Sequence, residues 1–313
     1  MKKIDIVSSA LNEENCIQEL VQRISKVFEG LSGYEWALYL FDNGSTDNTW
    51  LEICREAEKD TRVIGLRMTR TFDFDNALTA GLELSDGYAT VIMASDLQDP
   101  PEVIPDFLEE LSKGASQVVA RVTERKTLPF HLKILTKIYY RLASWATDGR
   151  MPQNVSDFRI ISKEMRASVL TINERHRFLR GIMAWTGYRT HFIEIVRPAR
   201  FAGKRRNTIF VLVPIAIKTL LANSLKPISA VSTFAIFTSF VSFLALVIMT
   251  GRFVFFGVPF SGFGTLTGLA MLSFSVLVII LGVIAEYVGL IYNEVRGRPH
   301  YIIADSINLN RAA

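Results

Sequence analysis

The sequence predicts an α/β domain on a mostly parallel sheet, followed by two membrane-spanning helices. Three observations carry that expectation. Strand-like and helix-like apolar patterns alternate as far as residue 125, which places helices on both faces of a parallel sheet. Polar clusters at Asn12-Glu13-Glu14, Asp42-Asn43 and Asp96 to Asp99 each fall at a strand end. From Ile228 to Ala285 only Arg252 is charged. The two apolar runs there, Ile228 to Thr250 and roughly Gly262 to Ala285, each exceed the ~20 residues a helix needs to cross hydrocarbon.

"KIDIVSSA" is the first strand, and "NEENCIQELVQRISKVFEGL" repeats Ile17, Leu20, Val21, Ile24, Val27 and Phe28 at helical spacing. "EWALYLFD" is the second strand, ended by the turn "NGSTDNT", whose Ser45, Thr46 and Asp47 suit the cap of a helix over "WLEICREAEKD". "VIGLRM" reads as a strand, "DNALTAGLELS" as a helix and "ATVIMAS" as the fourth strand. "PPEVIPDFLEELSKG" is a helix with proline in its first turn, and "SQVVARV" the fifth strand. In such sheets ligands collect beyond the carboxyl ends of the strands, where the three polar clusters lie.

The apolar start of the chain is broken by Asp5 and Asn12 too early for a signal peptide, so the N-terminal domain is expected in the cytosol. Arg197 to Lys226 holds seven Lys or Arg and no acid, and Arg296 and Arg298 follow the second apolar run. By the positive-inside rule both ends are cytoplasmic, giving a multi-pass protein of the inner membrane. Cys16 and Cys54, both in the cytosolic part, suggest no disulfide framework. The expected division is a catalytic domain at 1–200, a basic interfacial segment at 201–227, a two-helix hairpin at 228–290 and a cytosolic tail at 291–313.

No G-x-G-x-x-G or Walker motif follows the first strand, no nucleophile elbow is present, and His131, His176, His191 and His300 are scattered without zinc spacing. Acidic strand ends without glycine loops suit a nucleotide bound through carboxylates and a divalent cation. Mg²⁺ or Mn²⁺ takes oxygen ligands and needs only one or two from protein. Asp99, before Pro100, is either a helix cap or a ligand. Phe178 and Trp185 read as core.

The segments "LNEEN", "DNGSTDNT", "ALTAGL", "DLQDPPE", "YYRLAS", "DFRIISKE" and "RHRFLRGIMAWTGY", with the two C-terminal spans, resemble glycosyltransferase family 2 with the GT-A fold. Within it the likeness is to polyprenyl-phosphate glycosyltransferases. The resemblance implies inverting transfer of a sugar, UDP-hexose the default donor, to a polyprenyl phosphate such as undecaprenyl phosphate, supplying a lipid-linked sugar for cell-surface glycans. It implies Asp96 and Gln98 as metal ligands, and Leu11, Glu13, Asp42 and Asp96 around the nucleotide-sugar. Asp157 is implied as an active-site carboxylate that orients hydroxyls or, second, acts as base; the other reading is a loop acid paired with Arg159. Arg125, Lys204, Arg205 and Arg206 are implied at the lipid phosphate; for the last three a membrane anchor is the other reading. The partners expected are the donor, the lipid acceptor and the bilayer, with a homo-oligomer and a lipid flippase left open and no nucleic acid.

The chain departs from the family pattern at Ala94, where the first acid of D-x-D is missing, at Ser9 and Leu11, at Asn43, and at Gly203 to Asn207. Two other readings therefore stand beside the first: a non-catalytic relative that binds nucleotide-sugar or partners a flippase, and a small processive polysaccharide synthase. The second lacks its Q-x-x-R-W motif, "RFLRG" being the nearest stretch.

Overall fold

The computed structural model describes residues 1–123, 141, 155–175, 177–198, 226–256 and 262–309. The chain divides into two compact units, one containing a β-sheet and the segment from Arg298 onward, the other containing two long helices.

In the first unit, β1 (Lys2–Ala10), β2 (Tyr34–Asp42), β3 (Val63–Met68) and β4 (Ala89–Ala94) alternate with α1 (Ile17–Glu29), α2 (Thr49–Lys59) and α3 (Phe74–Leu84). A 3₁₀ turn (Pro101–Val103) leads into α4 (Ile104–Ser112) and β5 (Gln117–Val122). Then come β6 (Val155–Ser162), α5 (Lys163–Thr171), α6 (Leu179–Trp185) and β7 (Thr190–Ile195). The second unit holds α7 (Lys226–Phe256) and α8 (Phe263–Arg296), and β8 (Ile303–Ile307) returns to the first.

The sheet order is β7-β5-β6-β4-β1-β2-β3-β8. The expected parallel core is present as β4-β1-β2-β3, while β6 runs antiparallel to both β4 and β5, and β8 antiparallel to β3. The reversal at β6 brings its N-terminal end to the edge where the parallel strands end.

Each face of the sheet is covered, as alternating strands and helices require. Ile4, Ile6, Leu38, Leu40, Val91 and Phe158 pack against apolar faces of α1, α2 and α4. Val7, Tyr39, Phe41, Ile92 and Ile161 pack against α3, α5 and α6. Phe107 of α4 lies over Phe158 of β6 with ring centroids 4.8 Å apart, a tilted pair that fixes β6 in the core.

Two sequence expectations change in detail. The helix expected from Pro100 starts as a 3₁₀ turn, with α4 proper beginning at Ile104. The segment after α8, expected as a plain tail, supplies an edge strand. Asn308 donates to the carbonyls of Ala57 (2.6 Å) and Val63 (2.9 Å). Gly65 makes room for this strand, since a Cβ there would stand 2.7 Å from both Ile307 Cγ2 and Ile53 Cγ2.

Among the described residues one helix, Gly268–Arg296, is long and apolar enough to cross a membrane. α7 is 31 residues long, and its stretch Val231–Val241 is apolar. Phe237, Phe240, Met271 and Phe274 are exposed, and apolar surface on this scale marks a face made for lipid or protein.

Candidate active site

The parallel strands end in one row. Ser9 pairs with both Phe41 and Ala94, and Ala10 with Asp42, so the polar clusters expected at strand ends do converge. The loops after β1 and β2 are tied together. Asn12, at φ +58°, donates its backbone N–H to Ser45 Oγ (3.0 Å), and its side-chain oxygen accepts from Thr46 N–H (2.8 Å). Glu13 N–H donates to Thr49 Oγ1 (2.9 Å), and Asp47 Oδ1 accepts from Thr49 N–H (3.0 Å), so Asp47 satisfies a donor at the start of α2.

Asp42 is buried. Its Oδ1 accepts from Ser45 N–H (2.9 Å), while Oδ2 has no hydrogen-bond partner among the described residues and lies 3.7 Å from Arg67 Nε. Asn43 has a structural job: its amide donates to Phe72 O (2.8 Å) and accepts from Phe72 N–H (2.8 Å). An ionised aspartate here could accept but not donate. Gly44, at φ +78°, abuts the same loop, where a Cβ would stand 2.6 Å from Thr71 N.

The loop after β4 is tightly wound. Leu97 is buried at φ +59°, a left-handed conformation that costs a non-glycine residue about 1–2 kcal/mol. Asp96 Oδ1 accepts from Gln98 N–H (3.2 Å), and Gln98 Nε2 donates to Pro198 O (3.5 Å). Asp99 is fully buried; Oδ2 accepts from Ala94 N–H (2.9 Å) and Oδ1 from Arg197 Nη2 (2.8 Å). It caps no helix, the 3₁₀ turn having no side-chain cap, and the Arg197 guanidinium rather than a metal ion pairs with it. Glu102 is gripped at both oxygens by Arg23 of α1 (2.8 and 2.6 Å).

Asp157 stands at the N-terminal end of β6. Because Arg159 pairs with Ile92 on an antiparallel strand, Asp157 comes level with the carboxyl end of β4. Arg180 of α6 grips both of its oxygens (3.1 and 2.6 Å), and Arg159 Nη2 lies 3.8 Å away. Burial pushes the Asp157 carboxyl up, but Arg180 and Arg159 outweigh it and hold it below the ordinary carboxylate value. Burial pulls the Arg159 guanidinium down to about 10, opposed by Asp157, which leaves it charged at neutral pH. Asp75, in the first turn of α3, completes this group: burial and the charge of Asp157 push its carboxyl up to about 7, against Arg180 and Arg159.

The fold thus gathers Leu11, Glu13, Asp42, Asp96, Gln98 and Asp157 at one edge of the sheet. Arg125, Lys204, Arg205 and Arg206 lie outside the described residues. Sequence reasoning missed Asp75, Arg180 and Arg197, whereas Arg159 stands beside Asp157 as the alternative reading of that acid expected. Arg180 lies inside a segment already singled out, but nothing in its spacing from Asp157 announces a pair. Trp185, expected in the core, is 67% exposed: α6 buries Leu179, Ile182 and Met183, and its last residue falls off that face. Phe178, also expected in the core, is half-buried.

Among the described residues no group of three His, Cys, Asp or Glu surrounds a common point. The hard oxygen donors of Asp96 and Gln98 still fit a Mg²⁺-type ion, which takes one or two protein ligands and completes its shell with phosphate and water.

Residues 5–169 match the model of glycosyl transferase family 2. An uncharacterised glycosyltransferase of Bacillus subtilis, YkcC, is 33% identical over 97% of this chain and 94% of its own length. A prophage-derived bactoprenol glucosyl transferase of Shigella flexneri is 33% identical over 97% and 98%, and a prophage bactoprenol glucosyl transferase homolog of Escherichia coli K12 is 31% identical over 96% and 98%. Among solved structures, glucosyl-3-phosphoglycerate synthase of Mycobacterium tuberculosis, crystallised with Mn²⁺, UDP and phosphoglyceric acid, shares the fold. Its TM-score is 0.53 and its identity 19%, over 71% of this chain and 78% of that one. With the strand-end carboxylates in place and the family pattern running through the sheet, the chain belongs to glycosyl transferase family 2.

Proposed function

We propose that this transferase moves a hexose, with inversion, from a UDP-sugar to the phosphate of a polyprenyl lipid at the cytosolic face of a membrane. One observation carries the reading. Asp96 and Asp157 meet at one edge of the sheet because β6 runs against β4, in a chain alike over 97% of its length to a protein named as a bactoprenol glucosyl transferase.

The residues divide the work. Asp42, Glu13 and Leu11 would receive the nucleoside, and the buried Asp42 Oδ2 is an acceptor suited to a base or ribose donor. Asp96 and Gln98 would hold Mg²⁺ or Mn²⁺, which offsets the charge on the leaving diphosphate. A phosphate oxygen of the lipid attacks the anomeric carbon as the bond from that carbon to the diphosphate oxygen breaks. The acceptor, with a second pKa of roughly 6, is largely ionised at neutral pH and needs no strong base. Asp157, ionised and held by Arg180, is suited to orienting hydroxyls rather than to taking a proton. Arg125, Lys204, Arg205 and Arg206 are the cations we assign to the lipid phosphate.

Both α7 and α8 cross the bilayer in this reading. Support comes from the sheet itself: β8 pairs with β3, so the chain leaves the catalytic unit for the helices and returns to the same side. An even number of crossings follows, and Arg197 to Lys226 with Arg296 and Arg298 agree with a cytosolic position for both ends.

The test is an Asp157→Asn variant assayed for UDP binding and for sugar transfer. Binding within about twofold of the parent with kcat down at least ~100-fold is expected; transfer at the parent rate would remove Asp157 from the reaction.

A further inference from the structure

The Asp99 carboxylate touches three parts of the chain. Its Oδ2 closes the loop after β4 by accepting from Ala94 N–H (2.9 Å). Its Oδ1 reaches Ser156 Oγ (3.5 Å), the residue before Asp157, and Arg197 Nη2 (2.8 Å), two residues beyond β7. A second tie runs parallel to the last, from Gln98 Nε2 to Pro198 O (3.5 Å). Between Ala94 and Asp99 lie the left-handed Leu97 and Asp96, so the contacts of Asp99 determine where Asp96 points. Fully buried, with both oxygens engaged by protein donors, Asp99 is not arranged as a ligand.

We propose that Asp99 is a positioning residue: with Arg197 it sets the Asp96 loop against the Asp157 strand, and fixes both to the segment that leads from β7 toward the membrane helices. The inference rests on the reading of Asp96 as a metal ligand. Asparagine at 99 keeps the shape but has one acceptor oxygen, so its NH₂ must face either Ala94 N–H or Arg197. Methionine at 197 removes the charged donor and keeps much of the apolar stem.

Mn²⁺ titrated into the full-length protein with UDP present, followed by electron paramagnetic resonance, separates the possibilities without any turnover. Asp96→Asn should abolish specific Mn²⁺ binding. Asp99→Asn and Arg197→Met should each raise the Mn²⁺ Kd about 10-fold, the loss typical of a group that orients a ligand. The double variant should be no weaker than Asp99→Asn by more than about twofold, since both changes break one joint. UDP affinity in EDTA should stay within about twofold in Asp99→Asn, Arg197→Met and their double variant, a readout that general unfolding would not spare. Unchanged Mn²⁺ affinity in both Asp99→Asn and Arg197→Met, with Asp96→Asn dead, overturns the positioning role alone. Loss of metal-free UDP binding in step with Mn²⁺ binding overturns it as well, in favour of simple stabilisation. Unchanged binding in Asp96→Asn removes the metal reading, and the inference with it.

Discussion

Replacing Asp75 with asparagine should make the protein more stable, by an amount that grows as pH rises from the ordinary carboxyl value of 3.8 to the native value of about 7. Asp75 faces Asp157 and Arg159 of β6, Arg180 of α6 and Asp73 just before its own helix, and burial dominates, lifting its carboxyl from 3.8 to about 7. Between those values the native state binds a proton that the unfolded chain has lost, so stability falls as pH rises through that window. At ~1.4 kcal/mol per pKa unit the whole rise amounts to about 4 kcal/mol, of which about 2.5 kcal/mol falls between pH 5 and pH 8. The side chain is partly open to water, and screening reduces the expected difference to about 1 kcal/mol. Asparagine is isosteric and does not titrate. Urea unfolding of parent and variant in the same detergent, at about pH 5 and about pH 8, reads the part of the pH dependence that Asp75 brings, its coupling to Asp157 included. The variant should gain about 1 kcal/mol on the parent between the two pH values. A pH-independent difference, or a gain at the acid end, would refute the placement of Asp75 among these charges.

Other expected outcomes follow from the same contacts. Arg180→Met removes the grip on Asp157, and kcat for sugar transfer should fall about 10²-fold while UDP affinity holds. The pH profile of the variant should move its acid limb upward as Asp157 loses the cation that holds its pKa down. Asn43→Asp sets a carboxylate against Phe72 O in place of an NH₂ donor, and thermal unfolding should show a loss of about 1–3 kcal/mol. Gly65→Ala brings a Cβ to 2.7 Å from Ile307 and Ile53 and should loosen β8; amide hydrogen exchange at residues 303–307 should speed up while β1 stays protected.

Local pattern made the parallel part of the fold legible. Val91, Ile92 and Met93 are an apolar run followed by acids, and the neighbouring strands repeat that form, so a row of carboxylates beyond a parallel sheet could be read from the order of residues alone. The strands added from outside that pattern were not legible. Ile303–Ile307 is a five-residue strand with two acid or hydroxyl positions in its middle, Asp305 and Ser306, and its partner β3 is far away in sequence. The hand of β6 was equally hidden, since a strand's direction depends on its neighbours. Site chemistry divides the same way. Asp42, Asp96 and Asp157 sit in recognisable segments, whereas Arg180, Arg197 and Asp75 gain their meaning from contacts across the fold. Asn43 reads in sequence as a missing acid and is in the structure a two-way latch on Phe72.

The central claim is sugar transfer to a lipid phosphate. Full-length protein in detergent should be incubated with undecaprenyl phosphate and radiolabelled UDP-glucose, UDP-galactose, UDP-N-acetylglucosamine or GDP-mannose, with Mg²⁺, Mn²⁺ or EDTA, and label in the lipid fraction counted. The account predicts label from one UDP-hexose, present with Mg²⁺ or Mn²⁺ and absent with EDTA. Nucleotide binding with no label in lipid from any donor would contradict it and favour a non-catalytic, sugar-nucleotide-binding partner.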